Sequence, residues 1–335
     1  MTRLVVYAVL NGDVTGGIEA LYQLTAAARA LGVEAVMTAP EGVSMRPVPS
    51  DYEQYASERI THEAVRKDDV VVVPEIWLAR RELVSHPRVV FWWLSVDNGV
   101  PPLYTMKRRS PAESARWMKR AARRTYYLNV LLPSLLRRRN VLHAAQSEYA
   151  RAFLAERGVE AAPLSDYIGH DFTERATTLS TTEPRSHRLA VNPKKGRDLV
   201  SAALDGWECS PLLVLSGLDR AGMASALSRS EAYLDLGHHP GRDRIPREAA
   251  LCGCVVVVAR RGSAANDKDV PLPEEYKFDL ARPTWVAGLR DLLDEIHLDP
   301  GAHRARQAAY REWVLSGERV FKDEVASLLA RLELA

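Results

Sequence analysis

The chain has 335 residues, of which 47% are hydrophobic and 26% charged, and its formal net charge is +2. That length accommodates two domains of ordinary size, the composition is that of a globular protein rather than a disordered or fibrous one, and a charge so close to zero gives no global field directed at nucleic acid. The three cysteines, Cys209, Cys252 and Cys254, are too few for a disulfide framework, and the Cys252-Gly253-Cys254 pair has no second pair to complete a zinc site.

Reduced thiols of this kind fit the cytoplasm. The opening apolar run, 4–10, is too short to span a bilayer and lacks a small-residue cleavage pattern, and no later run reaches membrane-spanning length. The run 4–10 reads as a first buried strand. A glycine-rich turn follows, with Asp13 and the pair Gly16-Gly17, and 18–31 then places Ile18, Leu21, Leu24, Ala28 and Leu31 on one helical face. With a second strand at 33–38 this opens a Rossmann-like half, although the glycines at 12, 16 and 17 do not form the GxGxxG fingerprint.

Val70-Val71-Val72-Val73 and the apolar run 89–94 read as two further strands, delivering Glu75 and Asp97 to one rim. Asp97-Asn98-Gly99 is also a good β-turn sequence, so two readings of Asp97 stand: a functional carboxylate and a turn residue. The stretch 107–139 holds eleven cations against one acid, Glu113, a local charge of +10 that leaves −8 on the rest of the chain. Tyr126, Tyr127 and several leucines lie between its clusters. It reads equally as an element docking on an anionic membrane surface and as a solvated basic helix followed by a core segment. No nucleic-acid-binding motif accompanies it.

A strand and helix follow from 141 to 157, the segment 160–168 contains Pro163 and lacks periodicity, and the Ser- and Thr-rich 165–182 reads as a linker. Strand 188–191, the turn Asn192-Pro193-Lys194-Lys195-Gly196 and a helix over 197–204 then begin a second doubly wound half. It continues with a strand at 212–215, a helix at 220–228 and the stretch from Tyr233 to Asn266. There an apolar strand runs into a polar loop with His238, His239, Gly241 and Arg242, then a short helix with Arg247 and Glu248. A β-branched strand at 254–259 and a turn with Gly262 and Ser263 complete the stretch. Ligands of an open parallel sheet bind outside the carboxyl ends of its strands, and helix N-termini there favour an anion. Glu248 is placed to accept from a ribose diol. The rest is read as a small strand near 276–278 and helices over 285–296 and 303–334.

The run Glu248-Ala249-Ala250-Leu251-Cys252-Gly253-Cys254-Val255-Val256 resembles the donor site of GT-B glycosyltransferases, most closely the family-4-like group. Cys254 stands where proline is usual there, and Pro240 stands where many members carry a second glutamate. Gly16-Gly17 resembles the first loop of those enzymes, and Lys194 or Lys195 resembles their diphosphate-contacting lysine. The resemblance implies an α/β protein of two Rossmann-like domains facing across a cleft. It divides the chain into an acceptor domain over 1–168, a donor domain over 183–310, and C-terminal helices over 311–335 that cross back. It implies sugar transfer from a nucleotide diphosphate sugar to a saccharide or lipid-linked acceptor, without a metal or other cofactor. Asp97 and Asp13 are the candidate catalytic carboxylates. Gly16, Gly17, Lys194, Lys195, His238, His239, Gly241, Arg242, Arg247, Glu248, Gly262 and Ser263 are the candidate donor-binding residues. A non-catalytic nucleotide-sugar-binding partner and a nucleotide-sugar 2-epimerase are the alternatives. The expected location is the cytoplasm, with peripheral membrane attachment through 107–139.

Overall fold

The computed structural model describes residues 2–55, 57–100, 111–182, 184–207 and 212–334, without the side chains of 111–117, 120 and 181. The chain divides into two compact units, Met1–Asp166 with Phe321–Ala335, and Tyr167–Val320.

In the first unit the strands are β1 (Leu4–Tyr7), β2 (Ala35–Thr38), β3 (Val70–Pro74), β4 (Val89–Trp93), β5 (Val141–Ala145) and β6 (Ala162–Pro163). They form one parallel sheet in the order β2-β1-β3-β4-β5-β6. Every residue of β1 to β4 is buried, which is why those strands read as unbroken apolar runs rather than alternating ones. The helical segments are α1 (Gly16–Ala30), the short α2 (Arg81–Val84) and α3 (Val96–Gly99), α4 (Pro111–Tyr126), α5 (Leu132–Leu136) and α6 (Glu148–Ala155). At the amino ends of the strands Arg3 and Asp69 form a buried two-pronged pair at 3.0 and 2.8 Å.

The second unit repeats the plan. Helices α7 (His170–Thr182), α8 (Arg197–Leu204), α9 (Arg220–Ser228), α10 (Arg244–Leu251), α11 (Trp285–Leu298), α12 (Pro300–Arg306), α13 (Ala308–Leu315) and α14 (Gly317–Arg331) accompany five strands. These are β7 (His187–Val191), β8 (Leu212–Val214), β9 (Ser230–Asp235), β10 (Val255–Ala259) and β11 (Lys277–Phe278), parallel in the order β11-β10-β9-β7-β8. Counted within each unit, both sheets have a first strand flanked by the second and the third. That is the doubly wound order whose switch point lies between the first and third strands.

Two readings of the sequence are corrected. The segment 170–182, taken as linker, is helix α7, with Phe172 and Ala176 in the core. Its threonines are accommodated because Thr177, Thr178 and Thr182 donate to the carbonyls four residues back, at 2.9, 3.0 and 3.0 Å. The segment 160–168, read as irregular, contains β6, a two-residue edge strand ending in proline and too short to show a period. From Phe321 onward α14 belongs with the first unit, where Glu324 accepts from the backbone N–H and hydroxyl of Ser165, both at 2.6 Å.

Gln307 acts as a detached piece of sheet. Its carboxamide accepts from Val256 N–H at 2.8 Å and donates to Val256 C=O at 2.9 Å, with the side chain buried. Gln307→Ala would leave two interior backbone groups unpaired, at about 1–3 kcal/mol each. The variant is expected to lose about 2–5 kcal/mol of unfolding free energy in denaturant titration, and a loss below about 1 kcal/mol would show that water replaces the amide.

Candidate functional site

At the switch point of the second unit the loops after β7 and β9 pack backbone against backbone. Gly196 adopts φ +62°, and a Cβ there would lie 2.8 Å from Gly237 N and from the Leu236 carbonyl carbon. Asn192 shapes the first loop by accepting from Lys194 N–H at 3.0 Å. Helix α8 begins directly after Gly196 and α10 directly after Asp243, and neither cap residue gives its helix a side-chain hydrogen bond. Two helix N-termini without side-chain caps therefore open beside adjacent strand ends, an arrangement that attracts anions, although Pro246 removes one donor from the first turn of α10.

The loop after β10 closes the site from the other side. Gly262 has φ +63° and ψ −135°, and a Cβ there would fall 2.0 Å from His239 O, so only glycine fits. Ser263 N–H donates to His239 O at 2.8 Å, and Ser263 Oγ donates to Gly241 O at 2.6 Å. Arg247 is buried beneath the loop, its guanidinium donating to the carbonyls of Arg242 at 2.8 Å and Asp243 at 3.2 Å. Arg242 lies 4.6 Å from the centre of the Trp313 ring, a cation–π contact. His238, half-buried, packs against Gly262.

A line of alternating charge runs through these loops: Asp235, His239, Asp243, Lys195. His239 Nε2 lies 3.4 Å from Asp235 Oδ2, and Nδ1 lies 3.8 Å from Asp243 Oδ2. Asp243 Oδ2 in turn pairs with Lys195 Nζ. Burial acts to raise the Asp235 pKa, but the His239 charge, the Gly237 N–H at 2.8 Å and Lys195 outweigh it and hold that carboxyl at about 2. Burial likewise acts to lower the His239 pKa, and the facing Asp235 and Asp243 raise it instead. Ligand atoms of Asp235, His239 and Asp243 lie within 4.8 Å of one another, a metal-compatible spacing that the sequence reading did not identify. Asp243 already pairs with Lys195, a cation of the chain itself.

The structure thus brings Lys194, Lys195, His238, His239, Gly241, Arg242, Arg247, Glu248, Gly262 and Ser263 onto one set of strand ends and gives them different duties. Gly241, Arg247, Gly262 and Ser263 build the loops. Lys194 is exposed, and its ammonium has no ion-pair or hydrogen-bond partner among the described residues. Glu248 accepts from Arg244 Nε at 3.1 Å through Oε1, and Oε2 makes no hydrogen bond among the described residues. Asp235 and Asp243 were missed as members of the site. The spacing of residues 235, 239 and 243 is a helical period, but the segment is strand end and loop, so no periodicity argument could have found it.

Gly16 and Gly17 open α1 in the first unit, where Thr15 Oγ1 accepts from Ile18 N–H at 3.3 Å. Asp13 is exposed and turned back onto Asn11, whose amide donates to it at 2.6 Å. Asp97 is half-buried in the first turn of α3. Glu75 follows β3 but turns inward. It is buried, accepts from Leu94 N–H at 3.0 Å, and burial pushes its carboxyl up to about 8.

Residues 107–110 of the basic stretch lie outside the described residues. Of the apolar residues between its clusters, Tyr127, Leu131, Leu132 and Leu135 are buried in the core of the first unit, which removes them from any membrane-inserting face. Arg123, Arg137 and Arg139 are exposed. No helix among the described residues is long and apolar enough to cross a membrane. Cys252 and Cys254 are free and buried, and burial pushes the Cys254 thiol up to about 12; Cys209 lies outside the described residues.

No protein-family model matches the chain, and no curated protein sequence matches it. Solved structures do. Sucrose-phosphate synthase from Thermosynechococcus elongatus superposes with a TM-score of 0.67 at 12% identity, over 99% of this chain and 99% of that one. Anabaena HepE in complex with UDP-glucose gives 0.66 at 11% identity, over 99% and 100%. WaaG, a glycosyltransferase involved in lipopolysaccharide biosynthesis, gives 0.57 at 14% identity, over 96% and 99%. The chain has the GT-B fold that these structures share.

The state of Glu75 has a consequence for stability. Its folded pKa, about 8, lies above the ordinary glutamate value of 4.5, so between those values the folded chain holds a proton that the unfolded chain has lost. Stability falls as pH rises through that window. Glu75→Gln keeps an acceptor for Leu94 N–H and removes the titration. The variant is expected to melt higher than wild type at pH 9, with the gap closing at pH 4.5; a gap independent of pH would overturn the assignment.

Proposed function

We propose that the chain is a glycosyltransferase that binds a nucleotide diphosphate sugar at the β7/β9 switch point of its second unit and passes the sugar to an acceptor. The observation that carries this reading is the pair of helix N-termini, α8 and α10, left without side-chain caps and set beside Lys194 and Lys195. Charge builds on the diphosphate as the glycosidic bond breaks, and prepositioned N–H groups and ammonium groups stabilise it there. Glu248, with Oε2 facing no internal donor, takes the ribose hydroxyls. The UDP-glucose bound by HepE is the class of donor that supports this reading.

The acceptor is a saccharide or a lipid-linked sugar, handled by the first unit, with Asp97 as the carboxylate that takes its proton and Asp13 as the alternative. Pro240, where many similar enzymes carry a glutamate, favours a second reading, a binding partner without turnover. The exposed arginines at 123, 137 and 139 support docking on an anionic membrane surface by charge alone.

Calorimetric titration with a panel of nucleotide sugars, paired with a donor-hydrolysis and transfer assay, tests the main reading. Glu248→Ala is expected to weaken donor binding by about 1.5–3 kcal/mol. Asp97→Asn should keep donor affinity and lower turnover by about 10²–10⁴-fold. Binding without turnover in any acceptor mixture favours the partner reading, and no binding by the wild type rejects both. For the basic stretch, co-sedimentation should occur with anionic liposomes at low salt and fall steeply as salt rises. Equal partitioning of wild type and a triple variant, Arg137→Gln with Arg138→Gln and Arg139→Gln, would defeat membrane docking.

A further inference from the structure

Asp243 occupies the residue position from which an aspartate ordinarily caps a helix, and because the third residue of α10 is Pro246, the Ile245 N–H is the donor such a cap would use. It makes no such bond to α10. Its carboxylate is turned instead to Lys195 Nζ, on the loop after β7. Behind it stands His239, fully buried, with neither ring nitrogen in a hydrogen bond and Nδ1 3.8 Å from Asp243 Oδ2. Asp243 therefore faces the Lys195 ammonium on one loop and the buried His239 ring on another. Lys195 is one-third exposed along its side chain, and His239 is sealed inside.

We propose that Asp243 is an internal stand-in for the donor's diphosphate: it holds Lys195 in the empty site, and an incoming diphosphate takes the lysine from it. The proposal rests on the donor site assigned above. Three features of the geometry fit an exchange rather than a permanent bridge. The ammonium is the accessible end of the charge line. The Ile245 N–H that Asp243 does not cap is left for the same anion. His239 stays in place to face the carboxylate once Lys195 leaves, so the displaced charge is not stranded. Lys194, exposed and unpaired among the described residues, is available for first contact while Lys195 is still engaged. No bond is made or broken, only ion pairs exchange. The consequence is a site that discriminates against weak anions, because an occupant must compete with a tethered carboxylate at high effective concentration.

The test is a double-mutant cycle read with inorganic pyrophosphate by calorimetry, on wild type, Asp243→Asn, Lys195→Gln and the pair together. Asp243→Asn is expected to bind pyrophosphate at least tenfold tighter than wild type, and that gain should vanish when Lys195 is also replaced. Loss of the gain separates competition for the lysine from plain repulsion, which would persist in both backgrounds. An equal gain with and without Lys195 overturns the proposal, as does no gain in Asp243→Asn or no pyrophosphate binding by any of the four. If Asp243→Asn lowers the melting temperature, Asp243→Ser supplies the same comparison. The donor-site reading fails separately, if the wild type neither binds nor turns over a nucleotide sugar whatever its response to pyrophosphate.

Discussion

The contact of Gly196 with the Leu236–Gly237 backbone is the constraint on which the second unit's strand-end chemistry depends. Parallel strands deliver all their following loops to one edge, but adjacent loops ordinarily stand apart by the width of their side chains. Here a Cβ on Gly196 would be 2.8 Å from a backbone nitrogen, and one on Gly237 would be 2.5 Å from Lys195 Cβ. Removing both side chains lets the β7 and β9 loops touch. With the loops in contact, Lys195 reaches Asp243 at the start of α10. The strand order does the rest, because the chain turns in opposite directions on either side of the β7/β9 boundary and opens a crevice there.

Buried charge is the second constraint. Asp235 and His239 are almost wholly withdrawn from water, a state that is costly for isolated ions. The cost is offset by alternation. In the sequence Asp235, His239, Asp243, Lys195 each carboxylate has a basic side chain beside it, and Asp235 also accepts from Tyr233 OH at 3.0 Å and from Gly237 N–H at 2.8 Å. The arrangement fixes the loop between β9 and α10 without using the helix N–H groups, so structural support and ligand-facing groups are kept separate. Arg247 follows the same logic from below, spending its guanidinium on loop carbonyls.

How much of this was legible follows from the kind of signal each residue leaves. The β-branched runs at 70–73 and 255–258 are buried on both faces and announced themselves. Lys195-Gly196 and Glu248 stood out because a glycine opening a helix and an acid on an otherwise basic helix are local features. Helix α7 did not, because Ser and Thr composition argues for a loop until Phe172 and Ala176 find a core that only the tertiary structure supplies. Leu131, Leu132 and Leu135 misled for the converse reason. Flanked by arginines they resemble an interfacial element, yet a π-helical turn at Tyr127–Leu131 leads them into the first unit's core. Asp243 was invisible as a functional residue, since its role depends on Lys195, 48 positions away in sequence.

The two units share one strand order but not one chemistry, and the difference lies in who caps the helices. At the first unit's switch point Thr15 satisfies the start of α1 with its own hydroxyl, and Tyr52 OH accepts from Thr15 N–H at 2.8 Å. The neighbouring carboxyl, Glu75, is turned inward, accepts from Leu94 N–H, and is pushed by burial up to about 8. At the second unit's switch point the caps are withheld and lysines stand beside the open N–H groups. An uncapped helix start beside lysines gives an anion a reason to choose the second crevice. A neutral hydroxyl-rich molecule meets no such asymmetry. One strand order thus carries two different strand-end chemistries through a few side chains at the starts of α1, α8 and α10, a distinction that strand order alone could not make.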